Sequence, residues 1–185
     1  MNEGAEPGAM PELEEVANRL AIQAVLARHS RGVDRAVEAD LRACYWDDAT
    51  VAYGGINGPA QEFCAILPQA IRGFDRTAHV VSNTLIDFNA DQHRAAVESY
   101  VTAYHYRADP AGDQDMIFLG RYLDRFERRG SVWRISHRQV VMDWNLNQPA
   151  TAIHEGPPFD GLARGARAPE DPLYAMLAEQ RAGQR

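Results

Sequence analysis

Four long runs of strand-like sequence follow one another in the second half of the chain and restrict its fold more than any other feature. They cover about 77–88, 95–107, 116–128 and 132–144, and turn-forming residues separate them. Consecutive strands joined by short turns pair antiparallel, because parallel strands need a long crossover connection. The sequence therefore predicts an antiparallel sheet built as a meander.

The first half of the chain has the periodicity of helices instead. Apolar positions recur at helical spacing along one face: Ile22, Val25, Leu26, His29 and Val33. The first helix should begin near Pro11, where acidic residues suit the helix dipole, and a second short helix should cover about 37–45. A short strand over 50–53 and a helix over 60–72, which Pro68 must kink or shorten, complete this half.

Helices followed by a strand meander predict an α+β fold in which the helices pack against one face of the sheet. Long, twisted strands would curl around these helices as an α+β barrel and leave a cavity. We expect residues 1–10 to be a disordered tail, residues 11–146 to form this domain and residues 147–185 to be an extension. The extension ends in a helix capped by Asp171, and three side chains of that helix would be buried against a neighbouring subunit: Leu173, Met176 and Leu177.

Composition excludes several classes of protein. The net charge of −7 and the pI near 5.3 argue against a nucleic-acid partner, whose phosphates need a basic surface. The apolar runs are too short to span a membrane and no signal peptide is apparent, so the cytoplasm is the expected location. Cys44 and Cys64 have no zinc-binding spacing and are predicted to be buried thiols. We predict no metal site.

Asp34 and His79 are the candidate catalytic pair. Asp34 stands just past Gly32, where the first helix should end, and His79 lies near the start of the first long strand. A carboxylate that fixes the tautomer of a neutral imidazole makes a general base near neutral pH. Taken singly, Asp34 could instead cap the next helix, and His79 could be a hydrogen-bonded core histidine. Such a base implies no metal and no organic cofactor.

Strand alternation predicts which side chains face the cavity. The smaller and more apolar face of the second long strand should point inward: Ala95, Val97, Ser99, Val101, Ala103 and His105. The same rule groups six side chains of the last strand: Val132, Arg134, Ser136, Arg138, Val140 and Met142. A buried Arg138 would require an anion, either a protein carboxylate or a bound group. Aromatic residues on the opposite face are expected at an interface: Tyr100, Tyr104 and Tyr106.

Several short motifs together carry a family resemblance. They are Gly32-Val33-Asp34, Thr77-Ala78-His79 followed by Asn83, Glu127-Arg128-Arg129 and Val132-Trp133. On these motifs, over roughly 13–144, the chain resembles the polyketide-cyclase (SnoaL)-like family of the nuclear transport factor 2-like superfamily. It is most similar to the hexachlorocyclohexane dehydrochlorinases of that family and more distantly similar to its scytalone dehydratases. The resemblance implies a cone-shaped, curved sheet capped by helices.

The resemblance also implies roles for individual residues. Asp34 and His79 match the catalytic dyad of the family, and Arg138 matches an arginine that stabilises the leaving group. His29 stands where the dehydrochlorinases have a lysine, and Tyr53 follows Asp34 at the spacing of an active-site tyrosine in scytalone dehydratases. The residues expected to line the substrate pocket are His29, Tyr53, Val81, Val101, His105 and Met142.

Two functions from different classes fit these observations. The first is a cofactor-independent lyase or isomerase acting on a small apolar cyclic or aromatic compound, with dehydration ahead of loss of halide or formaldehyde. The alternative is a non-catalytic ligand-binding or scaffold subunit of a larger oxygenase-type assembly. An Arg138 already neutralised by a protein carboxylate would favour the alternative. In either case we expect a homo-oligomer, either a dimer or a trimer.

Overall fold

The computed structural model describes residues 8–153, 156–157 and 159–183. Four helices are present in these ranges: α1 (Leu13–Asp34), α2 (Glu38–Arg42), α3 (Ala60–Ile71) and α4 (Pro172–Ala182). Six strands are present as well: β1 (Tyr45–Tyr53), β2 (Ile56–Pro59), β3 (Arg76–Phe88), β4 (Arg94–Arg107), β5 (Gln114–Arg129) and β6 (Val132–Pro149). Of the predicted disordered tail, residues 1–7 lie outside the described residues, while residues 8–10 are exposed and lie in neither a helix nor a strand.

The six strands form one curved, unclosed sheet in the order β2-β1-β6-β5-β4-β3. Every neighbouring pair is antiparallel except β1 and β6, which run parallel. The predicted α+β class and the meander of four long strands are therefore confirmed. The strand predicted over 50–53 is longer than expected, because β1 already begins at Tyr45 and α2 ends at Arg42.

One face of this sheet covers a core that α1 and α3 complete. Helix α1 contributes the apolar stripe seen in the sequence, and its members Ile22 and Leu26 are buried. Trp133 of β6 is buried beside this helix and donates a hydrogen bond from its indole nitrogen to Asn18 Oδ1 at 2.9 Å. Cys64, from α3, lies in the same core, and both cysteines are buried and unpaired, as predicted.

A β-bulge in β6 corrects the predicted faces of the last strand. Ser136 is the extra residue, since the register with β5 passes directly from Ile135 to His137. An extra residue reverses the alternation, so Ile135 and Arg138 are both fully buried although their positions differ by three, an odd number that would place them on opposite faces of a regular strand. The prediction that Arg134 and Ser136 share the face of Arg138 is wrong for this reason.

The C-terminal helix starts as the sequence predicts. Asp171 is its N-cap and accepts a hydrogen bond from the backbone N–H of Leu173 at 3.1 Å. Leu173 and Leu177 are half-buried and Met176 is 53% exposed, so the chain itself buries none of these three fully. Their contact with a neighbouring subunit stays a prediction. No helix within the described ranges is long and apolar enough to cross a membrane.

Candidate active site

Asp34 and His79 are in direct contact although 45 residues separate them in the chain. Asp34 is the last residue of α1, and His79 lies on β3, the strand against which this helix packs. Asp34 Oδ1 lies 2.8 Å from His79 Nδ1, and Asp34 Oδ2 accepts the backbone N–H of His79 at 2.9 Å. Because a carboxylate only accepts hydrogen bonds, Nδ1 is the ring nitrogen that donates to Asp34, and Nε2 is left for another partner.

The surroundings of Asp34 keep it ionised. The side chains of Asp34 and His79 are only 12% and 4% exposed. Burial raises the pKa of the Asp34 carboxyl, but hydrogen bonds from His79 and Thr77 and the charge of His79 outweigh burial and hold this pKa below its ordinary value. The pair therefore places an ionised carboxylate directly against the imidazole of His79.

His105 of β4 is a third titratable group at this site. Its ring centre lies 5.3 Å from that of His79 in an edge-to-face arrangement, and 4.7 Å from that of Phe74. Burial, followed by the nearby charge of His79, lowers the pKa of His105 below its ordinary value. His105 is therefore neutral at pH 7, where it can share in hydrogen bonding but adds no positive charge.

A cleft of about 540 Å³ lies between α1 and β3 and borders His79. Its volume falls in the range of small-molecule sites. Four apolar and four polar side chains line it: Leu26, Ala27, Val80 and Val81, and Gln23, Ser30, His79 and Thr84. The hydroxyl of Ser30 is buried and has no hydrogen-bond partner among the described residues, so a bound molecule could supply one.

Arg138 is held by a protein carboxylate. Asp124 on β5 accepts hydrogen bonds from Arg138 Nε at 2.7 Å and from Nη2 at 2.6 Å, and both side chains are completely buried. The guanidinium also stacks over the ring of Tyr122, with its carbon 3.9 Å from the ring centre. Only Nη1 has no partner within the described part of the chain. The anion that a buried arginine requires is thus already present in the protein.

A group of buried polar rings surrounds this ion pair. His29 Nε2 lies 3.0 Å from the hydroxyl of Tyr45. Burial, followed by the positive charge of Arg138, lowers the pKa of His29 well below its ordinary value, so this imidazole is neutral. Burial raises the pKa of the half-buried Tyr53, and the charge of Arg138 and hydrogen bonding with Tyr122 partly offset this rise. We call the set made of Arg138, Asp124, His29, Tyr45, Tyr53 and Tyr122 the inner cluster.

The remaining residues predicted to line the pocket are placed differently from one another. Val81 lines the cleft beside His79, and Val101 of β4 is buried directly opposite Val81. Met142 is 61% exposed in the middle part of β6 and lies opposite Gly120, which in turn pairs with Val101. The structure thus brings Val81 and Val101 close to the dyad and places Met142 two strands further along the same row of the sheet.

Several residues at these two sites were missed by sequence reasoning. Asp124 lies between the inward-facing Tyr122 and Phe126 on β5, and an acid flanked by aromatics on a core face was the signal for it. Thr77, which hydrogen-bonds Asp34, was seen only as part of a motif. Within the described ranges, no three histidine, cysteine or acidic side chains cluster closely enough to hold a metal ion.

The fold and the site define the class of this protein. The SnoaL-like domain family matches residues 14–139, and the chain belongs to that family. Solved relatives have the same overall fold as this chain.

Particular relatives are hexachlorocyclohexane dehydrochlorinases. Hexachlorocyclohexane dehydrochlorinase 1 of Sphingobium indicum is 28% identical over 153 residues, which cover 80% of this chain and 96% of the relative. The crystal structure of a type 2 hexachlorocyclohexane dehydrochlorinase superposes with a TM-score of 0.67 at 26% identity and covers 82% of this chain and 100% of its own. A candidate scytalone dehydratase from Novosphingobium aromaticivorans has the same fold, with a TM-score of 0.63, 24% identity and coverage of 75% and 92%.

Proposed function

We propose that this protein is a cofactor-independent lyase that acts on a small, apolar, cyclic or aromatic compound. The observation that carries the proposal is the contact of His79 Nδ1 with Asp34 at 2.8 Å beside an open cleft of about 540 Å³. A buried carboxylate that orients an imidazole is the arrangement that general-base catalysis requires. Its dehydrochlorinase relatives support elimination as the reaction class.

In this mechanism His79 Nε2 removes a proton from a substrate carbon. The electrons of the broken C–H bond form a carbon–carbon double bond, and the bond to the leaving group on the adjacent carbon breaks with departure of an anion. Asp34 holds the proton on Nδ1 and stabilises the imidazolium that forms. Halide loss is the first reaction to test because the relatives are dehydrochlorinases, and loss of water or formaldehyde and double-bond isomerisation use the same base.

The departing anion needs a partner, and we propose that Arg138 contributes through Nη1 alone. The charge of Arg138 is already balanced by Asp124, so its stabilisation of an anion would be weaker than that of an unpaired arginine. Tyr53 and neutral His105 would supply further hydrogen-bond donors. In this proposal His29, Val81, Val101 and Met142 shape the binding site without taking part in proton transfer.

A binding or scaffold function is the second candidate, and the ion pair of Arg138 with Asp124 favours it. A catalytic arginine is usually free to meet its anion, whereas this one is fully buried and doubly hydrogen-bonded to protein. Under this alternative, the protein would bind an apolar ligand in the cleft beside His79 or stabilise a larger oxygenase-type assembly without turnover. Co-purification with a larger subunit, together with no turnover of any tested substrate, would support it.

The test of the lyase proposal is release of chloride from γ-hexachlorocyclohexane, with scytalone as a second probe for loss of water. His79→Ala should lower the rate by about 10²–10⁴-fold, which is the usual contribution of a positioned base. His93→Ala is the matched control, since this histidine lies on an exposed turn away from Asp34. Full activity in His79→Ala would remove this residue from the mechanism.

We also propose that the protein is a homo-oligomer. Large apolar side chains are exposed together on the outward face of the sheet: Tyr100, Tyr104, Leu119, Trp144 and Leu146. Light scattering over a range of concentrations should give the mass of a dimer or a trimer. Trp144→Glu would then shift the mass towards the monomer, whereas a monomeric parent protein would rule the proposal out.

A further inference from the structure

The C-terminal segment 165–171, which we call the strap, folds back over the end of α1 and the start of β3. Arg35 donates a hydrogen bond to the carbonyl of Ala166, and Arg76 donates one to the carbonyl of Gly165, both at 2.8 Å. The backbone N–H of Ala168 in turn donates to the carbonyl of Arg35 at 3.0 Å. The strap therefore lies against the two chain segments that carry Asp34 and His79.

Arg167 is the centre of the strap. Its Nη1 donates to the backbone carbonyl of Asp34 and to Thr77 Oγ1, the latter at 2.8 Å. Its Nη2 donates to the carbonyls of Ile71 at 3.1 Å and Phe74 at 2.8 Å. One half-buried guanidinium thus joins the end of α1, the end of α3 with its following turn, and the first residues of β3.

The chemistry of the guanidinium fixes the direction of the hydrogen bonds at Thr77. Arginine only donates, so the oxygen of Thr77 accepts from Arg167 and its single proton is left to be donated elsewhere. Hydrogen bonding from Thr77 is among the causes that hold the pKa of Asp34 below its ordinary value, which points to the Asp34 carboxylate as the acceptor of this proton. A directed chain of donors therefore runs from Arg167 through Thr77 to Asp34.

We propose that Arg167 and Thr77 are positioning residues for the dyad, and that the strap completes the active site. Arg167 fixes the backbone of Asp34 and orients the Thr77 hydroxyl, and Thr77 holds the carboxylate that orients His79. This inference rests on the proposed function, because Arg167 and Thr77 would act by orienting the proposed catalytic pair. The strap lies beyond residue 139, where the family match ends, so the support comes from a segment outside the matched domain.

The charges at the strap fit this role. Burial lowers the pKa of Arg167 below its ordinary value, and the negative charge of Asp34 partly offsets that effect, so each group favours the charged form of the other. The strap is anchored at its far end as well. Asp171 Oδ2 accepts the backbone N–H of Ala166 at 2.9 Å and lies 3.2 Å from Arg35 Nη1.

The experiment is a carbon-detected NMR titration of the Asp34 carboxyl group in the full-length protein, with the signal assigned by its loss in Asp34→Asn. Thr77→Val removes the hydroxyl and keeps the shape of a residue suited to a strand. Arg167→Met removes the guanidinium and keeps much of the side-chain length. Both variants should move the Asp34 pKa upward towards its ordinary value, and both should slow chloride release about tenfold to a hundredfold, as loss of outer hydrogen-bond partners does at metal-bound histidines.

Arg76→Met is the matched control. Arg76 also binds the strap through one guanidinium-to-carbonyl hydrogen bond, but no hydrogen bond joins its side chain to the side chains of Thr77 or Asp34. This variant should leave the Asp34 titration unchanged. An unchanged Asp34 titration in a folded Thr77→Val protein would overturn the inference, whatever Arg167→Met does to folding.

The two readouts separate this inference from the proposed function. The carboxyl titration involves no substrate, so it reports on positioning even where chloride release is absent. No chloride or water release from either probe would count against the lyase proposal, and chloride release that is insensitive to His79→Ala would remove His79 from its mechanism, whereas an upward shift of the Asp34 pKa in Thr77→Val would still support the strap's role.

Discussion

The dyad and the inner cluster each contain a buried acid in contact with a nitrogen base, yet they differ in what they can do. His79 contacts Asp34 through one ring nitrogen and keeps the other for a second partner, and an imidazole can gain or lose a proton near neutral pH. Arg138 makes two short hydrogen bonds to Asp124, and a guanidinium cannot be deprotonated in a protein. Only the first pair can therefore change its protonation state during a reaction.

Under the proposed function, the dyad is the reactive site, and the ion pair of the inner cluster acts mainly in folding, with only Nη1 of Arg138 left to meet an anion. Asp34 is held by Thr77 and by the backbone N–H of His79, which borders the cleft, whereas the side chains of Asp124 and its partner Arg138 have zero exposure. A buried ion pair is costly to break because each charge relies on the other. We expect the inner pair to govern folding and the dyad to govern turnover.

The largest effect on the free energy of unfolding should come from Asp124→Ala. Removing the acid leaves the fully buried Arg138 without a counter-charge, which typically costs about 3–5 kcal/mol. Urea unfolding at pH 7 would measure the loss. The double variant Asp124→Leu with Arg138→Met is the control, since replacing both charges by apolar side chains is often neutral. A single variant as stable as the parent protein would contradict the structural role of the pair.

Asp34→Asn should lower turnover much more than it lowers the free energy of unfolding. The amide keeps the shape of the carboxyl and can still accept the backbone N–H of His79, so unfolding at pH 7 should become easier by only about 1 kcal/mol. Turnover should fall by about 10³–10⁴-fold, because the amide no longer fixes the tautomer or stabilises the imidazolium. Urea unfolding and chloride release measured on one preparation would test both halves. If Asp34→Asn lowered the free energy of unfolding as much as Asp124→Ala does, the proposed difference between the dyad and the inner cluster would be wrong.

The strands and helices were the most predictable part of the molecule. Alternation and turn residues located β3 to within one residue at its start, and the helical stripe gave most of α1. The start of β1 was missed, because Asp47 and Asp48 are typical of a turn but are exposed residues within that strand. Local sequence reports propensity, and here the pairing of Tyr45 and Thr50 with β6, on either side of these two residues, overrides it.

The contacts of the candidate site were harder to predict. In the hairpin of β5 and β6, an uninterrupted register would place Asp124 opposite His137, and the bulge at Ser136 moves its partner to Arg138. The sequence gives no sign of that extra residue. Arg167 was missed for a different reason, since it lies in a loop without periodicity and its partners are about 90 residues or more away in the chain.

The smallest effect that we predict is confined to acid pH. The pKa of Asp34 in the folded protein lies below its ordinary value of about 3.9 in an unfolded chain, so ionised Asp34 contributes stability that is fully present above that ordinary value. This contribution is lost as the pH falls through the folded pKa. The stability gap between the parent protein and Asp34→Asn should therefore stay constant from pH 7 to about pH 5 and shrink below pH 4. Urea unfolding at pH 7, 5, 4 and 3 would measure the gap, and a gap that widened in acid would mean that burial, rather than the hydrogen bonds of His79 and Thr77, dominates the energetics of this carboxyl.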